Sequence, residues 1–93
     1  MLGQIKIEKP TKEKLDKLKI DTWETWECGP SDFDWEYTSQ ETFYVKQGKV
    51  IVDLEDGKAA FGKGDLVTFP AGCRCTWHVK EKVTKVYTFE NIE

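Results

Sequence analysis

Gly64-Asp65-Leu66-Val67-Thr68-Phe69-Pro70-Ala71-Gly72-Cys73-Arg74-Cys75-Thr76-Trp77-His78-Val79 is the stretch whose reading decides the fold. Gly64-Asp65 opens it as a turn, and Leu66 to Phe69 is a short apolar run. Pro70-Ala71-Gly72 forces a second turn, because proline fixes its own φ and glycine accepts positive φ. From Cys73 the chain alternates. Cys73, Cys75, Trp77 and Val79 share one face of a strand; Arg74, Thr76, His78 and Lys80 share the other. Two strands joined by a rigid corner result.

The flanks repeat this grammar. Gln4 to Glu8 reads as a short strand that Pro10 ends. Thr11 is placed to cap a helix from Lys12 to Leu18, with Glu13 in its first turn. Asp21 to Glu27, with Trp23 and Trp26, is expected to be extended and to cover one barrel opening. Gly29-Pro30-Ser31-Asp32 is a turn. Phe33 to Tyr37, Glu41 to Lys46, Lys49 to Leu54, Lys58 to Phe61 and Val83 to Phe89 read as strands. Gln47-Gly48 is expected to turn the chain, and Asp56-Gly57 to close a hairpin of the mirror-turn type. About eight short strands and one helix suit an all-β sandwich or closed barrel.

Composition sets limits. A chain of 93 residues forms one domain, expected over 1–93. Folding at that size requires most of the four Trp, five Phe and three Tyr to share a single core. The net charge is -3, and the lysines around the helix are interleaved with Glu8, Glu13 and Asp16. No basic face of the kind that binds nucleic acid emerges. No apolar run approaches the roughly 18 residues of a membrane span, and Met1 to Lys9 lacks the apolar centre of a signal peptide. A cytoplasmic location with reduced thiols is therefore expected. The cysteines Cys28, Cys73 and Cys75 are odd in number. Cys73 and Cys75 would be about 6.6 Å apart on an extended strand, near the upper limit for a disulfide.

The motifs resemble the cupin superfamily, small jelly-roll barrels. Gly64, Pro70 and Gly72 fall where the second cupin motif has its glycines and proline, Cys75 where it has a histidine ligand, and Val79 where it has an asparagine. Glu41 and Gly48 match the glutamate ligand and glycine of the first motif; Trp35 and Tyr37 stand where its two histidines belong. The Trp35-x-Tyr37, Glu41-Thr42 and Cys75-x-Trp77 combination looks like the ureidoglycine aminohydrolases, which use manganese to release ammonia from an amino-ureido acid in purine breakdown. The resemblance implies an all-β jelly-roll antiparallel β-barrel with one short N-terminal helix. Of the four usual ligand places only Glu41 is kept, so no metal and no other cofactor is expected.

Parity gathers the candidate site. Trp35, Tyr37, Glu41 and Phe43 share one parity, and Cys75 and Trp77 line the facing strand. These six residues are expected to wall an apolar pocket holding one carboxylate and one thiol, a make-up suited to small molecules. A buried Glu41 needs a partner, with Tyr37, Thr42 or a backbone N–H as candidates. The rings and the carboxylate together are expected to favour a small polar or cationic ligand carrying an amine, amidine or ureido group. His78 and Arg74 face outward, where His78 is expected to be solvent-exposed and Arg74 to make a salt bridge or a homodimer contact. Three functions follow: small-molecule binding, an enzyme related to the ureidoglycine aminohydrolases, or a structural or interaction domain whose rings fill their own pocket.

Overall fold

The computed structural model describes residues 5–92. Among the described residues seven strands, all antiparallel, follow one another as β1 (Lys6–Glu8), β2 (Glu24–Cys28), β3 (Ser31–Glu36), β4 (Glu41–Leu54), β5 (Gly57–Gly62), β6 (Leu66–Phe69) and β7 (Arg74–Thr88). Helix α1 (Lys12–Leu18) lies between β1 and β2, followed by a 3-10 turn, Ile20–Thr22. Thr11 accepts the Lys14 N–H at 3.1 Å, so the cap forms as the sequence implies. Gln4, included in the first predicted strand, lies outside the described residues.

The centre of the fold is one long ribbon, β4 against β7, paired from Thr42↔Thr88 to Leu54↔Cys75. The first half of β4 also pairs with β6, and β6 with β1, while the second half of β7 pairs with β2. The second half of β4 pairs with β5, and the first half of β7 with β3. Each long strand thus serves both walls of an all-β jelly-roll barrel. Two predicted strand pairs have therefore fused. Gln47-Gly48 does not turn the chain; it is part of a run of register shifts between Val45 and Val50 where the ribbon bends. Gly48 holds φ +106°. A Cβ there would strike the Lys82 carbonyl oxygen and stand 2.6 Å from Val83 Cα, so glycine permits the two strands to meet at the bend.

The hairpin after β4 also differs in detail. Leu54 pairs with Gly57, making Glu55-Asp56 the two-residue loop. Lys19 is the only non-glycine with positive φ among the described residues, so this loop is not the mirror turn expected from Asp56-Gly57. The corner at Pro70-Ala71-Gly72 forms, with Gly72 at φ +85°. Its backbone is tied to Tyr37: the Gly72 N–H donates to Tyr37 O at 2.6 Å and the Tyr37 N–H to Cys73 O at 2.8 Å.

Between the walls lies a core rich in rings. Phe43, Phe69, Phe61, Trp77 and Tyr37 are buried together with Val45, Val50, Val52 and Val67. Tyr37 stacks on Phe69 at 4.4 Å between ring centroids, and Phe61 meets Trp77 edge-on at 5.3 Å. Such pairs add about 0.5–1.5 kcal/mol each beyond area burial. No described helix is long and apolar enough to cross a membrane.

Candidate functional site

A cavity of about 490 Å³ opens between β2, β3 and β7, and its walls include Trp26, Phe33, Trp35, Tyr37, Trp77, Tyr87 and Phe89. Cross-strand register builds the wall. Phe33 of β3 pairs with Trp77 of β7, which puts both side chains on one face. Their rings stack at 5.8 Å, and Trp26 of β2 meets Trp77 edge-on at 5.9 Å. Trp35 and Phe89, 53% and 60% exposed, stand at the cavity with a large share of each ring in solvent.

Three charged groups line the cavity: Asp34, exposed and accepting from Thr76 Oγ1 at 2.8 Å, and the buried Glu41 and Lys85. The Lys85 Nζ donates to Glu41 Oε2 at 2.6 Å, and the two side chains are 8% and 7% exposed. The ammonium lies 4.1 Å from the centroid of Phe43, 5.1 Å from Trp26, 5.2 Å from Trp77 and 5.6 Å from Tyr87. Four rings and a carboxylate therefore enclose one cation, each ring contributing about 0.5–2 kcal/mol depending on desolvation. Burial still pulls the Lys85 pKa below its ordinary value, against the opposing pull of Glu41. Glu41 Oε1 has no hydrogen-bond partner among the described residues.

The partner foreseen for Glu41 was Tyr37, Thr42 or a backbone N–H; the partner is Lys85, while Thr42 Oγ1 bonds Thr68 Oγ1 at 3.0 Å. The residue was legible in one respect. Val83, Lys85 and Tyr87 alternate on one parity, and register places Lys85 opposite Val45 and Tyr87 opposite Phe43. A lysine on an alternating strand defaults to solvent, which hid it.

The six predicted site residues separate. Tyr37, Glu41 and Trp77 are buried at the cavity, and Trp35 stands half-exposed beside it. Phe43 is fully buried behind Lys85 and does not itself line the space. Cys75 is buried off the cavity, its thiol pushed up to about 12 chiefly by burial, then by Cys73. Burial, then Glu41 and Cys75, raises the Tyr37 phenol as well, so it stays protonated. Trp77 Nε1 is buried without a completed hydrogen bond among the described residues, although it is close enough to Tyr37 and Cys75 to offset part of both rises. Trp26 was expected to cover a barrel opening and instead forms a cavity wall from within a paired strand; Trp23 is not part of that wall. Phe33, Tyr87 and Phe89 complete it.

On the outer face, His78 is not a free side chain. Its Nδ1 is 2.6 Å from Asp32 Oδ1 and its Nε2 is 2.8 Å from Asp53 Oδ2, so it links β3, β7 and β4. Arg74 makes the expected ion pair, to Glu36 at 3.6 Å. The cysteines are free thiols.

The metal that cupin barrels commonly hold can be tested against this donor set. Among the described residues no three His, Cys, Asp or Glu side chains come together to bind an ion. The four ligand places carry Trp35, Tyr37, Glu41 and Cys75: an indole, two groups that burial keeps protonated, and a carboxylate already engaged by an ammonium. These residues do not fit a first-row metal.

Fold and site thus define a cupin barrel whose cavity is centred on a lysine–glutamate pair. The chain belongs to the EutQ-like cupin domain family, whose model matches residues 15–87. It is similar to a DUF861 family protein from Thermotoga maritima, with 52% identity, 94% of this chain and 100% of that chain covered, and a TM-score of 0.91. A DUF861 family member from Pseudomonas syringae is 26% identical over 68% of this chain and 28% of its own, with a TM-score of 0.62. The Clostridium difficile EutQ protein shares the fold, at 24% identity and a TM-score of 0.62, and this chain spans 50% of its length. No curated protein matches the chain.

Proposed function

We propose that this chain is a small-molecule-binding cupin whose ligand lies against Trp26, Phe33 and Trp77 and directs a polar group at the Glu41–Lys85 pair. One observation carries the reading: a desolvated ion pair opens onto a cavity of about 490 Å³ walled mostly by aromatic rings, with Asp34 as its other charged residue. Apolar replacements for such pairs are frequently neutral or stabilising, so a pair kept at a cavity wall supports a role beyond stability. The pair also refines the ligand. Lys85 already supplies the cation that the rings and Glu41 were expected to draw from outside, so a bare amine must compete with it. A group that both donates and accepts suits Glu41 Oε1 and the ammonium better. Amides and ureides meet that description; simple dicarboxylates do not.

The second reading, hydrolysis of an amine or ureide in the manner of the ureidoglycine aminohydrolases, is favoured by the same pair, because a carboxylate and an amine in contact can exchange a proton. Tryptophan fluorescence tests binding, since Trp26, Trp35 and Trp77 line the cavity. Titration with aromatic ureides, amines and dicarboxylates should give saturable changes for ureides first. Glu41→Gln should weaken them by about 1.5–3 kcal/mol. Equal binding of dicarboxylates, or indifference to Glu41→Gln, would overturn the assignment, and ammonia released from a bound ureide would raise the hydrolytic reading above simple binding.

A further inference from the structure

Lys85 has the surroundings of a lysine that captures carbonyl compounds. Its nitrogen is at the floor of a cavity, its side chain is 8% exposed, and a carboxylate is 2.6 Å away. We propose that Lys85 forms an imine with a small aldehyde or ketone whose flat apolar body lies against Trp26, Phe33 and Trp77, with Glu41 moving the protons. The inference rests on the reading that this cavity takes small molecules.

The chemistry balances within the site. Glu41 takes one proton from the ammonium, leaving a free amine. The amine lone pair bonds to the carbonyl carbon while the C=O π pair moves to oxygen. Glu41 returns its proton to that oxygen and accepts one from nitrogen, giving a neutral carbinolamine. The protonated Glu41 then gives its proton to the hydroxyl, which leaves as water as the nitrogen lone pair closes C=N. Ammonium plus carbonyl has become protonated imine plus water, and Glu41 is again a carboxylate. No oxidant or reductant is needed.

Three features favour this sequence. Water is largely excluded around Lys85 and Glu41, which eases deprotonation of the amine, as its lowered pKa reflects. Four rings that hold the ammonium also hold the protonated imine, so the charge never loses its enclosure. Glu41 Oε1 carries no other hydrogen bond among the described residues, leaving it available for the incoming oxygen.

The test uses the intact chain with benzaldehyde and sodium cyanoborohydride at neutral pH, followed by peptide mass spectrometry. The reductant fixes any imine as a benzyl-amine, and the surface lysines serve as internal controls. Lys85 should gain the benzyl group severalfold faster than any surface lysine, because the cavity holds the aldehyde beside its nitrogen and Glu41 is in contact to move the proton. Glu41→Gln, checked for fold by near-UV circular dichroism, should slow labelling at Lys85 alone. Labelling of surface lysines with Lys85 unmodified overturns the inference, even if Glu41→Gln does not fold. Benzyl alcohol, the same shape without a carbonyl, separates the two claims. If it changes tryptophan fluorescence while benzaldehyde leaves Lys85 unmodified, the cavity binds and the imine fails. If it and the ureides alike change nothing, the binding reading fails with it.

Discussion

The Lys85 ammonium and the Glu41 carboxylate meet at 2.6 Å inside the barrel, although 44 residues of chain separate them. Each comes from one strand of the central ribbon, and the ribbon's register brings them to one cavity. A carboxylate at this depth needs a counter-charge. Here the chain provides it from its own last strand, where many cupins use a metal and histidines.

Removing one partner leaves the other charge buried and alone. Lys85→Met should lower the free energy of unfolding by about 3–5 kcal/mol in urea denaturation. The double variant Glu41→Leu with Lys85→Met should regain wild-type stability or exceed it. A single variant as stable as wild type would mean that the pair is hydrated and contributes nothing.

Much of the barrel was legible because its corners are dictated by backbone chemistry. Pro70 and Gly72 admit few conformations, and α1 follows from Thr11 and the Leu15–Leu18 spacing. The parity of Cys75, Trp77 and Val79 holds, as all three are buried. Strand continuity was not legible. Gly48 reads as a turn in sequence, yet a glycine at a bulge and a glycine at a turn use the same positive φ, and only the partner strand distinguishes them. For that reason β4 reads as two short strands; β7 reads so too, but because exposed Lys80-Glu81-Lys82 interrupts its apolar alternation. At the site, parity identified the rings and Glu41, but it does not say how far the cavity reaches; Cys75 shares the parity and lies off it. Lys85 was missed because burying a lysine requires partners from other strands, which no local pattern records.

The bend gives a clean backbone test. Gly48→Ala places a Cβ 2.6 Å from Val83 Cα and nearer still to the Lys82 carbonyl oxygen, at φ +106°. Neither atom is on a flexible side chain, so a loss of at least about 3 kcal/mol is expected. Gly29→Ala, with nothing within 4 Å of its Cβ, should stay within about 0.5 kcal/mol of wild type. Similar effects at both sites would remove the packing explanation for Gly48.

His78 makes stability depend on pH. Hydrogen bonds from the ring to Asp32 and then Asp53 raise its pKa above the ordinary 6.5. The bridge's contribution is therefore complete below about 6.5 and is lost as pH rises through the raised value. Asp53, held below its ordinary 3.8 first by His78, contributes above that value and loses the contribution as pH falls through its lowered pKa. The advantage in melting temperature of wild type over His78→Gln should be larger near about pH 5.5 than near about pH 9. An advantage that grows with pH would contradict the bridge.

Thiol reactivity should follow burial. Cys75 is pushed up to about 12 and Cys73 is raised, both chiefly by burial, whereas Cys28 is half-buried with its Sγ 3.3 Å from Ser31 Oγ. Iodoacetamide near about pH 8 should modify Cys28 at least about tenfold faster than either of the others. Fast modification of Cys75 would show that β3 opens readily from β7.

The most direct test of the central claim is a crystallographic screen of small aromatic ureides, amides and aldehydes. Density is expected between Trp26, Phe33 and Trp77, with a polar atom in hydrogen-bond reach of Glu41 or Lys85, and continuous density from Lys85 Nζ for an aldehyde. Ligands that bind only elsewhere on the surface, with the rings collapsed into this space, would contradict it.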